Sequence, residues 1–206
     1  MSSGEHALYG SDDLPLALRG PASPKVVAGF GFWLFLLSDI IMFAALFAAY
    51  AVLSGATAAG PTGPQLFEKP RVFLETLCLL ASSVTCGFGT LAMFRANARA
   101  TYLWLGLTFL LGACFLTIEG REFAAMVAAG AGPTRSAFLS AFFALVGAHG
   151  LHVSVGLAWL LIMLLQLATL GFQPMVTRRL FCFGLFWHAL DIVWIGVFTI
   201  VYLGAK

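Results

Sequence analysis

Charge is the scarcest property of this sequence. Only 10% of its 206 residues are Asp, Glu, Lys or Arg, while 61% are hydrophobic. A soluble domain carries about 25% charged residues, so lipid, not water, must be the solvent for most of this exterior. The net charge is +2 and no basic run exceeds two residues, which gives no footing for a nucleic-acid partner. Cysteine is sparse as well. Cys78, Cys86, Cys114 and Cys182 lie inside apolar stretches with no CxxC pair, and read as small apolar residues rather than a disulfide framework or zinc site. Apolar–polar alternation is also missing, which excludes a membrane barrel.

What is present is a set of apolar runs, each near or beyond the ~20 residues that cross a bilayer as a helix. Five are expected as helices, at about 28–53, 72–94, 102–122, 138–170 and 180–203, giving an all-α polytopic bundle of five transmembrane helices in a membrane domain at 28–206. Residues 1–27 hold Glu5, Asp12, Asp13 and three prolines without a positive n-region. They read as an amino-terminal cytoplasmic tail rather than a cleaved leader. Breakers mark the connections: Pro61, Gly63, Pro64 and Pro70, then the polar turn at 95–100, then Gly130, Gly132 and Pro133, then Gly171 and Pro174. Thr134 or Ser136 is the expected cap of the fourth helix. With the amino terminus inside, the inner side holds Arg19, Lys25, Arg95, Arg99, Arg178 and Arg179. The outer side holds Lys69, Arg71, Arg121, Arg135 and Lys206. The two tightest basic turns fall inside, so the expected orientation is amino terminus cytoplasmic and carboxyl terminus periplasmic. Trp33 and Tyr50 are expected at the interfaces, and Ala44/Ala48 and Gly150/Ser154 at close helix contacts.

The polar exceptions inside the runs are the informative positions, because an ionisable group deep in a bilayer costs at least ~2.5–3.5 kcal/mol and must be paired, neutral or turned towards protein. Asp39, His149 and Asp191 are each the twelfth residue of their run, so similar depths are expected. His149/His152 and His188/Asp191 are three apart and share a helix face, as do Glu119/Glu122; Glu75 lies near the start of the second run. Short links pair the fourth and fifth helices, so their polar faces are expected to meet. Three readings stand open for this network: fixing helix register, handling protons or a lipid headgroup, and ligating a metal or haem. No HExxH, Cys/His cluster or Glu-x-x-His di-iron pattern is visible. The expected assignment is no catalytic, cofactor or metal ligand on this chain.

Three stretches together resemble the subunit III family of the haem–copper respiratory oxidases: Gly31-Phe-Trp-Leu-Phe-Leu-Leu-Ser-Asp39, Gly147-Ala-His-Gly-Leu-His-Val153 and Trp187-His-Ala-Leu-Asp-Ile-Val-Trp194. Glu119 and Glu122 fit the family's pair of acids, and the resemblance covers about residues 28–203. Five helices with Asp at position 39, Pro61-Thr-Gly63 and Phe138-Leu-Ser-Ala-Phe-Phe-Ala-Leu145 are similar to the cytochrome bo-type ubiquinol oxidase branch. Gly120-Arg121 stands where the family has an aromatic residue, and Arg121 is a candidate for headgroup contact. The resemblance implies a non-catalytic subunit of a proton-pumping ubiquinol oxidase of the aerobic respiratory chain, in a bacterial inner membrane. It implies haem and copper in the large catalytic partner, subunit I, none on this chain, and bound phospholipids. Alternatives within the family are subunit III of a cytochrome c oxidase or of a relative associated with nitric oxide reductase. An alternative of another class is a stand-alone transporter or proton channel, although repeats and midplane-broken helices are not visible.

Overall fold

The structure is a computed structural model that describes residues 24–58 and 69–204. The tail at 1–23, Pro61-Thr-Gly63 and Lys206 lie outside the described residues. Five helices follow in order: α1 Pro24–Leu53, α2 Lys69–Phe94, α3 Ala98–Ala128, α4 Ala137–Leu170 and α5 Pro174–Val197, the last continued by a π-helix at Phe198–Leu203. All five are long and apolar enough to cross a membrane. Helices are the natural solution there, since each satisfies its own backbone hydrogen bonds where water cannot.

Local chemistry sets the ends more tightly than hydropathy does. Asn97 caps α3 by accepting from the Ala100 N–H, and Ser136 caps α4 by accepting from the Leu139 N–H. Of the two expected capping candidates, Ser136 is the one that acts. Gly171, at φ 66°, ends α4 in a conformation that side chains disfavour. Pro174 then opens α5, where its missing N–H costs nothing. The third helix therefore extends beyond its apolar run at both ends, and Arg178 and Arg179 lie on the opening turns of α5 instead of in a loop.

By its contacts the chain divides after Leu37. In the first unit, the described part of α1 exposes Val26, Val27, Phe30 and Leu34, with Trp33 at 61% exposure. In the second unit, α2, α3, α4 and α5 pack in a closed ring, each against the next and α5 back against α2. The rest of α1 runs antiparallel along α4, through Phe43 on His149 and His152 and through Tyr50 on Phe138. Tyr50 is thus 4% exposed, its ring buried against α4.

The core of the ring is built around two tryptophans of α5. Trp187 fills a notch made by Gly112 of α3 and Gly156 of α4, where an added Cβ would stand 2.9 Å and 3.0 Å from its ring. Its indole N–H donates to Ser82 Oγ of α2 at 3.1 Å. Trp194 stacks edge-on with Phe115 at 4.6 Å and donates to Thr76 Oγ1 at 3.1 Å. Close helix approaches at glycine include these two, Gly89 against Leu105 and Gly196 against Phe47. Among the described residues the expected small-residue contacts at Ala44/Ala48 and Gly150/Ser154 do not form: Ala44, Ala48 and Ser154 are exposed, and Gly150 has open space beside it.

Candidate functional site

The polar residues singled out in the sequence fall into three groups rather than one network. The first joins α1 to α4. Asp39 Oδ1 lies 3.9 Å from His152 Nε2, and both side chains are about one-fifth exposed, at 19% and 21%. His152 is oriented by its Nδ1–H, which donates to the Ala148 carbonyl at 2.7 Å. His149, a turn away and fully buried, has no hydrogen-bond partner on either ring nitrogen among the described residues. It is held instead by the rings of Trp194 at 5.2 Å, Phe115 at 5.8 Å and Phe43 at 6.3 Å.

The second group joins α5 to α2, not to α4. His188 Nδ1 and the Ser83 hydroxyl are 2.8 Å apart, and Asp191 lies against the same Ser83 and beside His188. With Trp187–Ser82 and Trp194–Thr76 they make a ladder of polar contacts along the α2–α5 seam. The expected meeting of the α4 and α5 polar faces is replaced by two separate sets. The reason lies in helix rotation: seating Trp187 between Gly112 and Gly156 turns the apolar side of α5 to α4, which leaves His188 facing α2.

The third group is a carboxylate cluster. Glu75 of α2 and Glu119 and Glu122 of α3 are 0%, 4% and 4% exposed. Each offers an oxygen within 4.8 Å of the others. Two full charges at that separation repel by about 3 kcal/mol at an effective dielectric of ~20, so three bare carboxylates would not stay together in a membrane. Arg71, one turn before Glu75, acts on it electrostatically, and Tyr202 of the π-helix interacts with all three acids. Glu75 and Glu119 face one another, and no N–H or hydroxyl of the described residues reaches their four oxygens. In the sequence Glu119 and Glu122 stand alone at one end of α3; the fold adds Glu75. A signal for this existed: Glu75 stands twenty-two residues before the capping Asn97 and Glu119 twenty-two after, so an antiparallel hairpin must bring them level. Arg121, between the two α3 acids, points outward and is exposed.

The described histidines do not fit a haem or copper site. Each ring is held by a different neighbour: His149 by aromatic rings, His152 by a backbone carbonyl, His188 by Ser83.

Comparison with known proteins gives a consistent result. Residues 16–206 match the family model described as cytochrome c oxidase subunit III. The chain is 53% identical over 174 residues to cytochrome bo(3) ubiquinol oxidase subunit 3 of Pseudomonas aeruginosa, covering 84% of this chain and 83% of that one. It is 40% identical over 199 residues to quinol oxidase subunit 3 of Bacillus subtilis, covering 97% of each. It is also 43% identical over 173 residues, 84% of each, to cytochrome c oxidase subunit 3 of Bacillus sp. strain PS3.

Proposed function

Because the chain belongs to the subunit III family of the haem–copper oxidases, in its cytochrome bo type, we propose that it supports its complex without carrying out the chemistry: it stabilises the assembly, holds phospholipid and assists proton uptake. It is subunit III of a ubiquinol oxidase complex, a multi-pass protein of the bacterial inner membrane. The complex is the enzyme. Haem and copper belong to its catalytic partner, which we take to be the large subunit I, and supply the reduction of oxygen there.

The observation that carries the supporting role is the Asp39–His152 pair. It is an acid and an imidazole 3.9 Å apart and partly exposed on the side of the second unit. A titratable pair in that position suits proton exchange or a headgroup contact better than pure packing, which would bury it. Exposed Arg121 is a second candidate for a headgroup. A groove of about 300 Å³ lined by Pro70, Val72, Phe73, Phe198, Tyr202 and Leu203 has the apolar character of an acyl-chain seat.

Two expected results test this reading. Asp39→Asn should leave the complex assembled, since it alters one end of a local pair, but should shorten sustained turnover or slow proton uptake severalfold. The measurements are haem content with subunit stoichiometry, and oxygen consumption followed over many cycles. Normal turnover to the end of such a run argues against a proton role for Asp39. For orientation, a fluorescent protein that matures only in the cytoplasm, fused after Lys206, should stay dark. Bright cells would reverse the assignment of a cytoplasmic amino terminus.

A further inference from the structure

We propose that Glu75, Glu119 and Glu122 form a binding site for a divalent cation of calcium size within the α2–α3 hairpin. The site lies six residues inside the Lys69 end of α2 and six inside the Ala128 end of α3. At ~1.5 Å per residue this is about 9 Å below both helix ends, within reach of the aqueous surface.

Three observations carry it. The first is size. The three ligand oxygens lie within 4.8 Å of one another. One ion can therefore touch all three, and calcium accepts a flexible shell of protein oxygens at ~2.4 Å, whereas magnesium gives up its waters reluctantly. The second is Glu75 itself. It comes from a different helix, is 0% exposed, points into the Glu119/Glu122 pair, and receives no donor on either oxygen among the described residues. Buried carboxylates ordinarily find such donors, so this one is built for something else. The third is charge. Three carboxylates held this close repel one another, and a divalent ion between them relieves that repulsion. A shared proton would serve one pair of carboxylates at a time, whereas a divalent ion meets all three. Buried Tyr202 lies near enough to feel the charge of all three acids. The ligands are hard oxygens throughout, which disfavours copper and zinc.

The test uses the intact oxidase complex, purified in mild detergent, stripped with a chelator and re-equilibrated with calcium. Metal analysis normalised to haem iron is expected to give about one more bound calcium in the parent complex than in Glu75→Gln or Glu119→Gln. Glu75→Asp, which keeps the charge, should retain part of it. Calcium should raise the melting temperature of the parent complex and leave both Gln variants unmoved. If a Gln variant fails to assemble, terbium luminescence of the parent complex, sensitised through Tyr202 and displaced by calcium, replaces it. Equal calcium in parent and variants overturns the proposal. So does a protonated-carboxyl infrared band in the calcium-equilibrated parent complex that both variants lose. The readout is bound ion rather than turnover, so it stands apart from the supporting role proposed above.

Discussion

Gly156→Leu is expected to leave this subunit out of its complex. A Cβ at position 156 already lies 3.0 Å from the ring of Trp187 and 3.1 Å from that of Phe186, and leucine adds three further carbons in the same direction. Trp187 has no room to retreat. Its far edge meets Gly112, and its indole N–H is held by Ser82. The neighbour is the body of a buried ring rather than the tip of a flexible chain, so α4 and α5 must separate. Overpacking of this kind costs about 1–3 kcal/mol in a core that adjusts, and close backbone approach is itself a main source of helix association in lipid. The measurement is the amount of the subunit that co-purifies per haem, with the melting temperature of the complex. Gly150→Leu on the same helix is the control, because nothing lies within 4 Å of a Cβ there. Full stoichiometry in Gly156→Leu, or equal loss in both variants, argues against the notch.

The double change His188→Leu with Asp191→Leu is expected to loosen α5 from α2 and so impair assembly. It removes the His188–Ser83 contact at 2.8 Å and the carboxylate beside it, and leaves the Ser83 hydroxyl facing two apolar side chains. Interhelical hydrogen bonds in membranes average only ~0.6 kcal/mol, while a buried polar group stripped of its partner costs ~1–3 kcal/mol. A total of about 2–3 kcal/mol follows, enough to cut retention of the subunit about tenfold or more. Trp187–Ser82 and Trp194–Thr76 remain on the same seam, so the helix itself should still insert. Subunit yield per haem decides: undiminished co-purification of the double variant would show that the seam holds by packing alone. Adding Ser83→Ala should recover part of the loss, because the stranded hydroxyl is then gone.

Much of the fold was legible because membrane insertion is a local property of the chain. Each of the five runs announces itself by length and hydropathy, and the caps at Asn97 and Ser136 and the break at Gly171 are written in adjacent residues. The reading failed where local composition and backbone chemistry diverge. Arg178 and Arg179 are polar yet helical, because Pro174 opens a helix that hydropathy cannot register. The small pairs Ala44/Ala48 and Gly150/Ser154 have the spacing of a helix contact without facing one.

The candidate residues were likewise visible one by one, each conspicuous as a polar interruption of an apolar run. Their partners were not. The sequence alone determined a lipid-facing exterior, five spans, and the identities of Asp39, Glu75, Glu119, Glu122, His149, His152, His188 and Asp191 as groups needing company. Only the tertiary structure decided that His152 answers Asp39, that His188 and Asp191 answer Ser83 of α2, that His149 rests among rings, and that Glu75 completes a trio with Glu119 and Glu122. The physical reason is that which helix face meets which depends on rotation about each helix axis and on register between helices. Both are set by the few places where bulk meets a gap, above all Trp187 between Gly112 and Gly156.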